Sequence, residues 1–316
     1  MRISAIDIGT NSVRLLVADV SYGGELLPVE RGLEITRLGE GMAGRGGIGD
    51  TAADRTLSAV KRFAAHARKA RAETILIFGT CALREAANGG SFTHRVKEAT
   101  GLDVRILSGE EEAGLAWRGI TRTLSRPLDG TAAIDIGGGS VEITASPGGG
   151  TPVPASIGLG CVRMTERFLL HDPPGTQELD ALRAFASWAL AAEVSPSISR
   201  PAARLVGAGG TITAAAAINL GLRRYNPDRV HGALLSAVRV SALAARLAAM
   251  PLAERKSVPG IEEKRADIIV AGLVVLEAVM GFFGAAEITV SDEGILHGAL
   301  LEYAGIIHHG GTEDTE

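Results

Sequence analysis

The sequence predicts an α/β protein of two domains, each opening with a meander of strands that leads into helices. Three observations carry that prediction: a phrase that occurs twice, an alternation of buried strands with amphipathic helices, and a length of 316 residues, enough for two sizeable cores. The phrase Ala5-Ile6-Asp7-Ile8-Gly9-Thr10-Asn11-Ser12-Val13-Arg14-Leu15 returns as Ala133-Ile134-Asp135-Ile136-Gly137-Gly138-Gly139-Ser140-Val141-Glu142-Ile143, identical at seven of eleven positions. Each copy reads as a buried strand ending in an aspartate, a turn rich in glycine and hydroxyls, and a second strand leading away.

The elements follow in order. Residues 3–9, 12–20 and about 25–37 alternate or run apolar with β-branched members, which predicts a three-stranded opening meander. Asp50 or Thr51 starts a helix to Ala70, in which Leu57, Val60, Phe63, Ala64 and Ala67 keep helical spacing while Lys61, Arg62, Arg68 and Lys69 face solvent. A strand over Thr74 to Gly79, a helix near Gly90 to Thr100, a strand over Asp103 to Leu107 and a helix over Gly109 to Thr123 complete the first domain. The segment Leu124 to Gly130 holds proline, glycine and charge, so the boundary is placed there, with domains of residues 1–124 and 125–305. The second domain repeats the meander over about 131–159 and then turns mostly helical, with strands at Arg204 to Gly207 and Ile288 to Val290. A final helix over Gly294 to Gly305, which is able to pack back on the first domain, precedes a tail, residues 306–316, whose polar and glycine content predicts disorder.

Composition narrows the function. Hydrophobic content of 46% and charged content of 22% describe a soluble globular chain, and a net charge of −4 gives no general attraction to nucleic acid or membranes. The apolar stretch Ala266 to Ala286 is interrupted by Glu277 and reads as a core helix whose end is capped by Arg265 and Asp267, not as a membrane span. Cys81 and Cys161 lie far apart in a chain with no secretory leader, so both are expected as free thiols and the location as cytoplasmic.

The duplicated tips suit phosphate. Glycine lets backbone N–H groups approach an anion, serine or threonine adds a donor, and the aspartate can hold a hydrated divalent cation. One such turn alone could be an ordinary tight hairpin. Two copies, with a third glycine turn at Gly207-Ala208-Gly209-Gly210-Thr211 between a strand and a helix, favour phosphate. Ser108-Gly109-Glu110-Glu111-Glu112-Ala113 sets three carboxylates at a helix start, where they complement the dipole or supply a general base for water. Arg84, just after a buried strand, is placed either to pair with phosphate or to make a surface ion pair. Arg223, Arg224, Arg229, Arg255, Lys256, Lys264 and Arg265 could line a groove for a polyanion. Gly44 to Gly49 satisfies G-x-G-x-x-G without the strand that dinucleotide binding needs, and no P-loop, nucleophile elbow or paired C-x-x-C occurs. His171-Asp172 and His231 read as solvated or structural.

On these residues the chain resembles the exopolyphosphatase and guanosine pentaphosphate phosphohydrolase (Ppx/GppA) family of the actin-like superfamily. The resemblance runs from Ile3 to about Glu302. It rests on Asp7 to Ser12, Thr80 to Asn88, Ser108 to Ala113, Asp135 to Glu142, Gly158 to Arg163, Gly209 to Thr211, Val230 to Gly232, Arg265 to Asp267 and Ser291 to Gly294. It implies two ribonuclease H-like (actin-like ATPase) domains with an inter-domain cleft, and release of orthophosphate from the end of inorganic polyphosphate. By the same carry-over Glu112 is the catalytic glutamate, with Glu111 its rival should the match slip by one, and Asp135 and Glu142 are acidic, metal-associated positions. Asp7, Asp135 and Glu142 would then hold Mg²⁺ or another divalent cation. Gly9, Thr10, Asn11, Ser12, Arg84, Gly137, Gly138, Gly139, Ser140, Gly209, Gly210, Thr211 and Arg265 would hold phosphates. Long members carry a further helical part with a His-Asp phosphohydrolase-like domain, so this chain resembles the short form. Hydrolysis of guanosine pentaphosphate to the tetraphosphate is the nearest rival. A kinase of the superfamily lacks a recognisable adenosine or sugar pocket here, and a guanosine-polyphosphate sensor with little turnover is the rival of another class. Monomer and homodimer both stay open.

Overall fold

The computed structural model describes residues 1–21, 24–124, 127–146, 151–196, 198 and 201–310, the side chains of 306–310 excepted. The chain divides into two units, Met1–Gly119 together with the segment from Ile295 onward, and Ile120–Gly294. The division falls a few residues before the predicted boundary after Leu124. Of the predicted linker, residues 125–126 lie outside the described ones.

The first unit begins with β1 (Arg2–Ile8), β2 (Ser12–Val20), β3 (Leu26–Ile35), α1 (Met42–Arg45), α2 (Asp50–Lys69), β4 (Thr74–Gly79), α3 (Cys81–Glu85), α4 (Gly89–Thr100), β5 (Val104–Ile106) and α5 (Gly109–Ile120). Its sheet has the order β3-β2-β1-β4-β5, antiparallel through the hairpins and parallel from β1 to β5. β1 is central and apolar on both faces. Ile6 and Ile8 pack with Val60, Phe63 and Ala64 of α2, while Ile3 and Ala5 face the opposite layer. The glycine-rich loop after α1 is clamped by a side chain: Asn88 exchanges two hydrogen bonds with the Ile48 backbone, at 2.8 and 2.9 Å.

The second unit runs through β6 (Thr131–Ile136), β7 (Val141–Ala145), β8 (Val153–Ile157), α6 (Cys161–Phe168), α7 (Thr176–Glu193), β9 (Arg204–Ala208), α8 (Gly210–Asn219), α9 (Pro227–Val230), β10 (Leu234–Ser236), α10 (Ala237–Ala248), α11 (Leu252–Arg255), a 3₁₀ turn Glu263–Arg265, α12 (Ile269–Phe282) and β11 (Glu287–Val290). Its sheet order, β10-β11-β9-β6-β7-β8, repeats the first sheet with β10 added at one edge. The stretch that mimicked a membrane span is α12, shorter than predicted and buried almost throughout against α7 and α10. Arg265 and Asp267 do not cap it: its N-cap is Ile268, with no side-chain hydrogen bond. Among the described residues no helix is long and apolar enough to cross a membrane.

The last helix, α13 (Ile295–Gly310), belongs to the first unit. Ile295, Leu296, Ala299, Leu300 and Ala304 recur at helical spacing and bury against Ile3, Ala5, Leu16 and Ala18, on the sheet face away from α2. Gly298 lets α13 approach the Leu115 carbonyl of α5 so closely that a Cβ there would overlap it. The helix continues through 306–310, where disorder was predicted, while residues 311–316 of the predicted tail lie outside the described ones.

Candidate active site

In the first unit the hairpin β1-β2 turns at Gly9 to Asn11. The Gly9 N–H donates to the Ser12 carbonyl at 3.0 Å, and a Cβ on Gly9 would sit 3.1 Å from that oxygen. Asp7 is 2% exposed and stands opposite Arg14, whose Nε and Nη2 both donate to Asp7 Oδ2, at 2.9 and 2.7 Å. Asp7 Oδ1, Thr10 Oγ1 and both Asn11 side-chain polar atoms are buried with no hydrogen-bond partner among the described residues. Buried polar atoms are nearly always satisfied, so such a cluster marks a place where a polar ligand or water completes the structure.

The glutamate triplet at the start of α5 is sorted by the turn of the helix. Glu110 points to solvent. Glu111 closes a capping box: its Oε2 accepts from the Ser108 N–H at 2.7 Å, and the Ser108 hydroxyl accepts from the Glu111 N–H at 3.1 Å. That backbone bond, helped by the ion pair with Arg105, holds the Glu111 carboxyl below the usual range. Glu112 is 9% exposed and accepts from Arg84 Nη1 at 3.0 Å. The same nitrogen donates to the Leu107 carbonyl at 2.8 Å, so Arg84 ties α3 to the start of α5. Arg84 and Glu112, assigned separately to phosphate and to water, are therefore contact partners.

In the second unit Asp135 stands opposite Glu142 on β6 and β7, and Ser156 of β8 continues the row. The Ser156 hydroxyl donates to Glu142 Oε1 at 3.0 Å. The turn between the strands is bound from behind. N–H groups of Gly160, Cys161 and Val162 donate to the carbonyls of Gly139, Gly137 and Gly138, at 3.2, 3.0 and 2.9 Å. With its carbonyls turned to α6, the tip keeps the N–H groups of Gly138, Gly139 and Ser140 without a backbone acceptor among the described residues.

The third glycine turn joins this tip. Gly209 has φ +92°, and a Cβ on it would lie 2.5 Å from Asp135 Oδ1. A Cβ on Gly294 would lie 3.3 Å from Asp135 Oδ2, and one on Gly137 would lie 3.9 Å from Glu142 Oε2. Two buried carboxylates bordered by three glycines fit a divalent cation that keeps part of its water shell. Among the described residues no group of three or more His, Cys, Asp or Glu side chains forms a complete metal cage. Arg265 lies directly against Gly210, at the N-terminus of α8, where backbone N–H groups and a guanidinium meet. Thr211 keeps its backbone in the first turn of α8. Its hydroxyl turns into the core, against Gly272 and the buried Cys161 thiol, which burial pushes up despite Arg265 nearby. Only the Thr211 backbone is left for an anion.

The sequence model of the Ppx/GppA phosphatase family matches residues 16–305. The chain belongs to the Ppx/GppA phosphatase family. Exopolyphosphatase 2 of Mycobacterium tuberculosis is 32% identical, over 96% of this chain and 99% of the relative. Exopolyphosphatase 1 of the same organism is 28% identical, over 95% and 88%. Among solved structures, the Aquifex aeolicus member of the Ppx/GppA family superposes with a TM-score of 0.81 at 29% identity, covering 98% of this chain and 99% of that one. An exopolyphosphatase from Cytophaga hutchinsonii gives 0.86 at 26%, covering 96% and 98%. The Ppx/GppA fold, two ribonuclease H-like domains, is the one that the family resemblance implies. Sequence reading missed Arg14 and Ser156 as partners of the acidic positions. Their signal was the alignment of the two copies, which sets Arg14 on Glu142, and the register of the next strand.

Proposed function

We propose that this phosphatase is an exopolyphosphatase: polyphosphate of n units and water give n−1 units and orthophosphate. The observation that carries the reading is Glu112, buried and held by Arg84 at a helix start, in a chain that is similar along nearly its whole length to proteins named Exopolyphosphatase 2 and Exopolyphosphatase 1. Glu112 orients the attacking water and accepts its proton. Gly9 to Ser12, Gly137 to Ser140, and Gly209 to Thr211 with Arg265 hold terminal phosphates, the last through backbone N–H groups. Asp135 and Glu142 hold Mg²⁺, which when bound neutralises charge on the transferred phosphoryl group. Positioning and charge compensation of this kind are what phosphoryl transfer chiefly needs. Two buried free thiols suit a reducing compartment such as the cytoplasm.

The test is orthophosphate release with Mg²⁺ from long-chain polyphosphate and from guanosine pentaphosphate, side by side. Polyphosphate is expected to be turned over, and Glu112→Gln to lower kcat by roughly 10²- to 10⁴-fold while polyphosphate binding persists. Release from the nucleotide alone would assign the chain to guanosine pentaphosphate, and binding of a guanosine polyphosphate without release from either substrate would make it a sensor.

A further inference from the structure

Arg255 and Arg265 are both candidates for a polyanion groove in the sequence, and the structure gives them opposite places. Arg265 reaches the N-terminus of α8, where a Cβ on Gly210 would meet its Nη1. Arg255 ends α11 with its side chain 5% exposed, too buried to line a groove. Its guanidinium spans two elements instead. Nη2 pairs with Asp172, in the turn between α6 and α7, and Nη1 donates to the Ala266 carbonyl at 3.2 Å. Asp172 is held in turn: both its oxygens accept from the Leu252 N–H at the start of α11, at 3.0 and 2.8 Å. Ala266 is fully buried and follows Arg265 directly in the chain, so the carbonyl that Arg255 holds lies one residue beyond the phosphate candidate.

The segment that bears Arg265 is laid against α8 at two points. Gly260, at φ +94°, presses on the last turn of that helix, where a Cβ would come within 2.5 Å of the Ile218 nitrogen, and Arg265 meets Gly210 in the first. Near Arg265 the segment is only the 3₁₀ turn Glu263–Arg265, and so short a turn holds itself weakly. A buried ion pair such as Arg255 with Asp172 adds little stability over apolar packing of the same shape, and Arg255 Nε is buried with no partner among the described residues. What the planar fork gives, and an apolar side chain cannot, is a fixed span from Asp172 to the Ala266 carbonyl.

We propose that Arg255 is a positioning residue for the anion site at α8: anchored by Asp172, it holds the backbone at Ala266 so that the Arg265 guanidinium stands at the helix N-terminus. Its bearing on phosphate rests on the reading of Arg265 given above. Every group of this relay lies in the second unit.

Arg255→Lys separates charge from reach, because an ammonium can answer Asp172 but has no second fixed donor for the carbonyl. Amide hydrogen exchange reads the position directly. The N–H groups of Arg265, Ala266 and Ile268, which donate within the segment, are expected to exchange about tenfold faster in Arg255→Lys, with α7 unchanged. Unchanged exchange overturns the proposal. Calorimetry with inorganic tripolyphosphate, in buffer without divalent ions, reads the consequence. Arg255→Lys and Arg265→Ala are each expected to bind about tenfold more weakly, and the double variant no more than about twofold more weakly than Arg265→Ala. A merely structural role adds in full, so a further loss of about tenfold in the double variant overturns the proposal. In turnover, Arg255→Lys is expected to raise the KM for polyphosphate about tenfold with a smaller change in kcat; a fall in kcat alone overturns it. Should circular dichroism show Arg255→Lys unfolded, Asp172→Asn replaces it, since asparagine still accepts from the Leu252 N–H and removes only the charge. The same pattern is then expected in weaker form, and its absence is equally decisive. A wild-type protein that binds no tripolyphosphate and releases no phosphate refutes the exopolyphosphatase reading, and the exchange rates alone then decide whether Arg255 positions the segment.

Discussion

Glu111 and Glu112 are one position apart and differ in everything that matters. A helix turns about 100° per residue, so one carboxylate reaches back to the Ser108 N–H while the next points to Arg84. Glu111→Ala is therefore expected to destabilise the protein by roughly 0.5–2 kcal/mol through the lost cap, seen in thermal melts, with kcat nearly unchanged. Glu112→Gln is expected to do the reverse; the opposite pattern would exchange their roles. The sequence displayed the capping pair, serine and glutamate three apart, but a triplet of acids hid which member served the helix. Charge also makes stability depend on pH elsewhere. Glu178 accepts from the His171 ring and from the N–H groups of Gly175 and Leu170, which lowers its pKa from 4.5 to about 2. A carboxyl depressed on folding stabilises the native state above its unfolded pKa and loses that contribution as pH falls through the folded one. The stability gap between wild type and Glu178→Gln, measured by urea midpoints, should hold near neutrality and close as pH falls from 4.5 toward 2. A gap constant over that range would refute the assignment.

At the scale of elements, the site is made by a helix that holds a hairpin from behind. Gly160 opens α6 so close to the Gly138 and Gly139 backbone that any Cβ would overlap it. Gly160→Ala must push α6 off the tip and is expected to destabilise by about 1–3 kcal/mol and to reduce phosphate release. Gly90→Ala, in α4 with nothing within 4 Å of the added carbon, is the control and is expected to be neutral or stabilising by up to ~1 kcal/mol. Equal effects of the two would mean that tip geometry is not set by α6. This arrangement explains what was legible. The strands and their duplicated turn were read from apolar runs and identical residues, both local in sequence. The inward turn of Thr211 was not, because it depends on a space left by Gly272, some sixty positions away. Short elements such as α1, α3 and β10 were missed as well, since three to five residues carry too little periodicity to be read.

At the scale of the whole molecule the chain leaves its first unit, builds the second, and returns with α13. The second unit is continuous and owns its core, from β6 through β11. The first is not: one face of its sheet is covered by a helix encoded after everything else. Burying Ile295, Leu296 and Leu300 is worth roughly 1.5–3 kcal/mol each, a sum comparable with the whole stability of a typical domain, about 5–15 kcal/mol. Residues 120–294 expressed alone are therefore expected to melt cooperatively. Residues 1–119 alone are expected to expose Ile3, Ala5, Leu16 and Ala18 and to bind a hydrophobic dye without a cooperative transition. Joining 295–310 to Gly119 through a flexible linker should restore that transition, because it returns the missing layer without the second unit. A cooperative melt of 1–119 by itself would show that α2 and α4 suffice to hold the sheet, and would make α13 an addition to the first unit and not a part of its core.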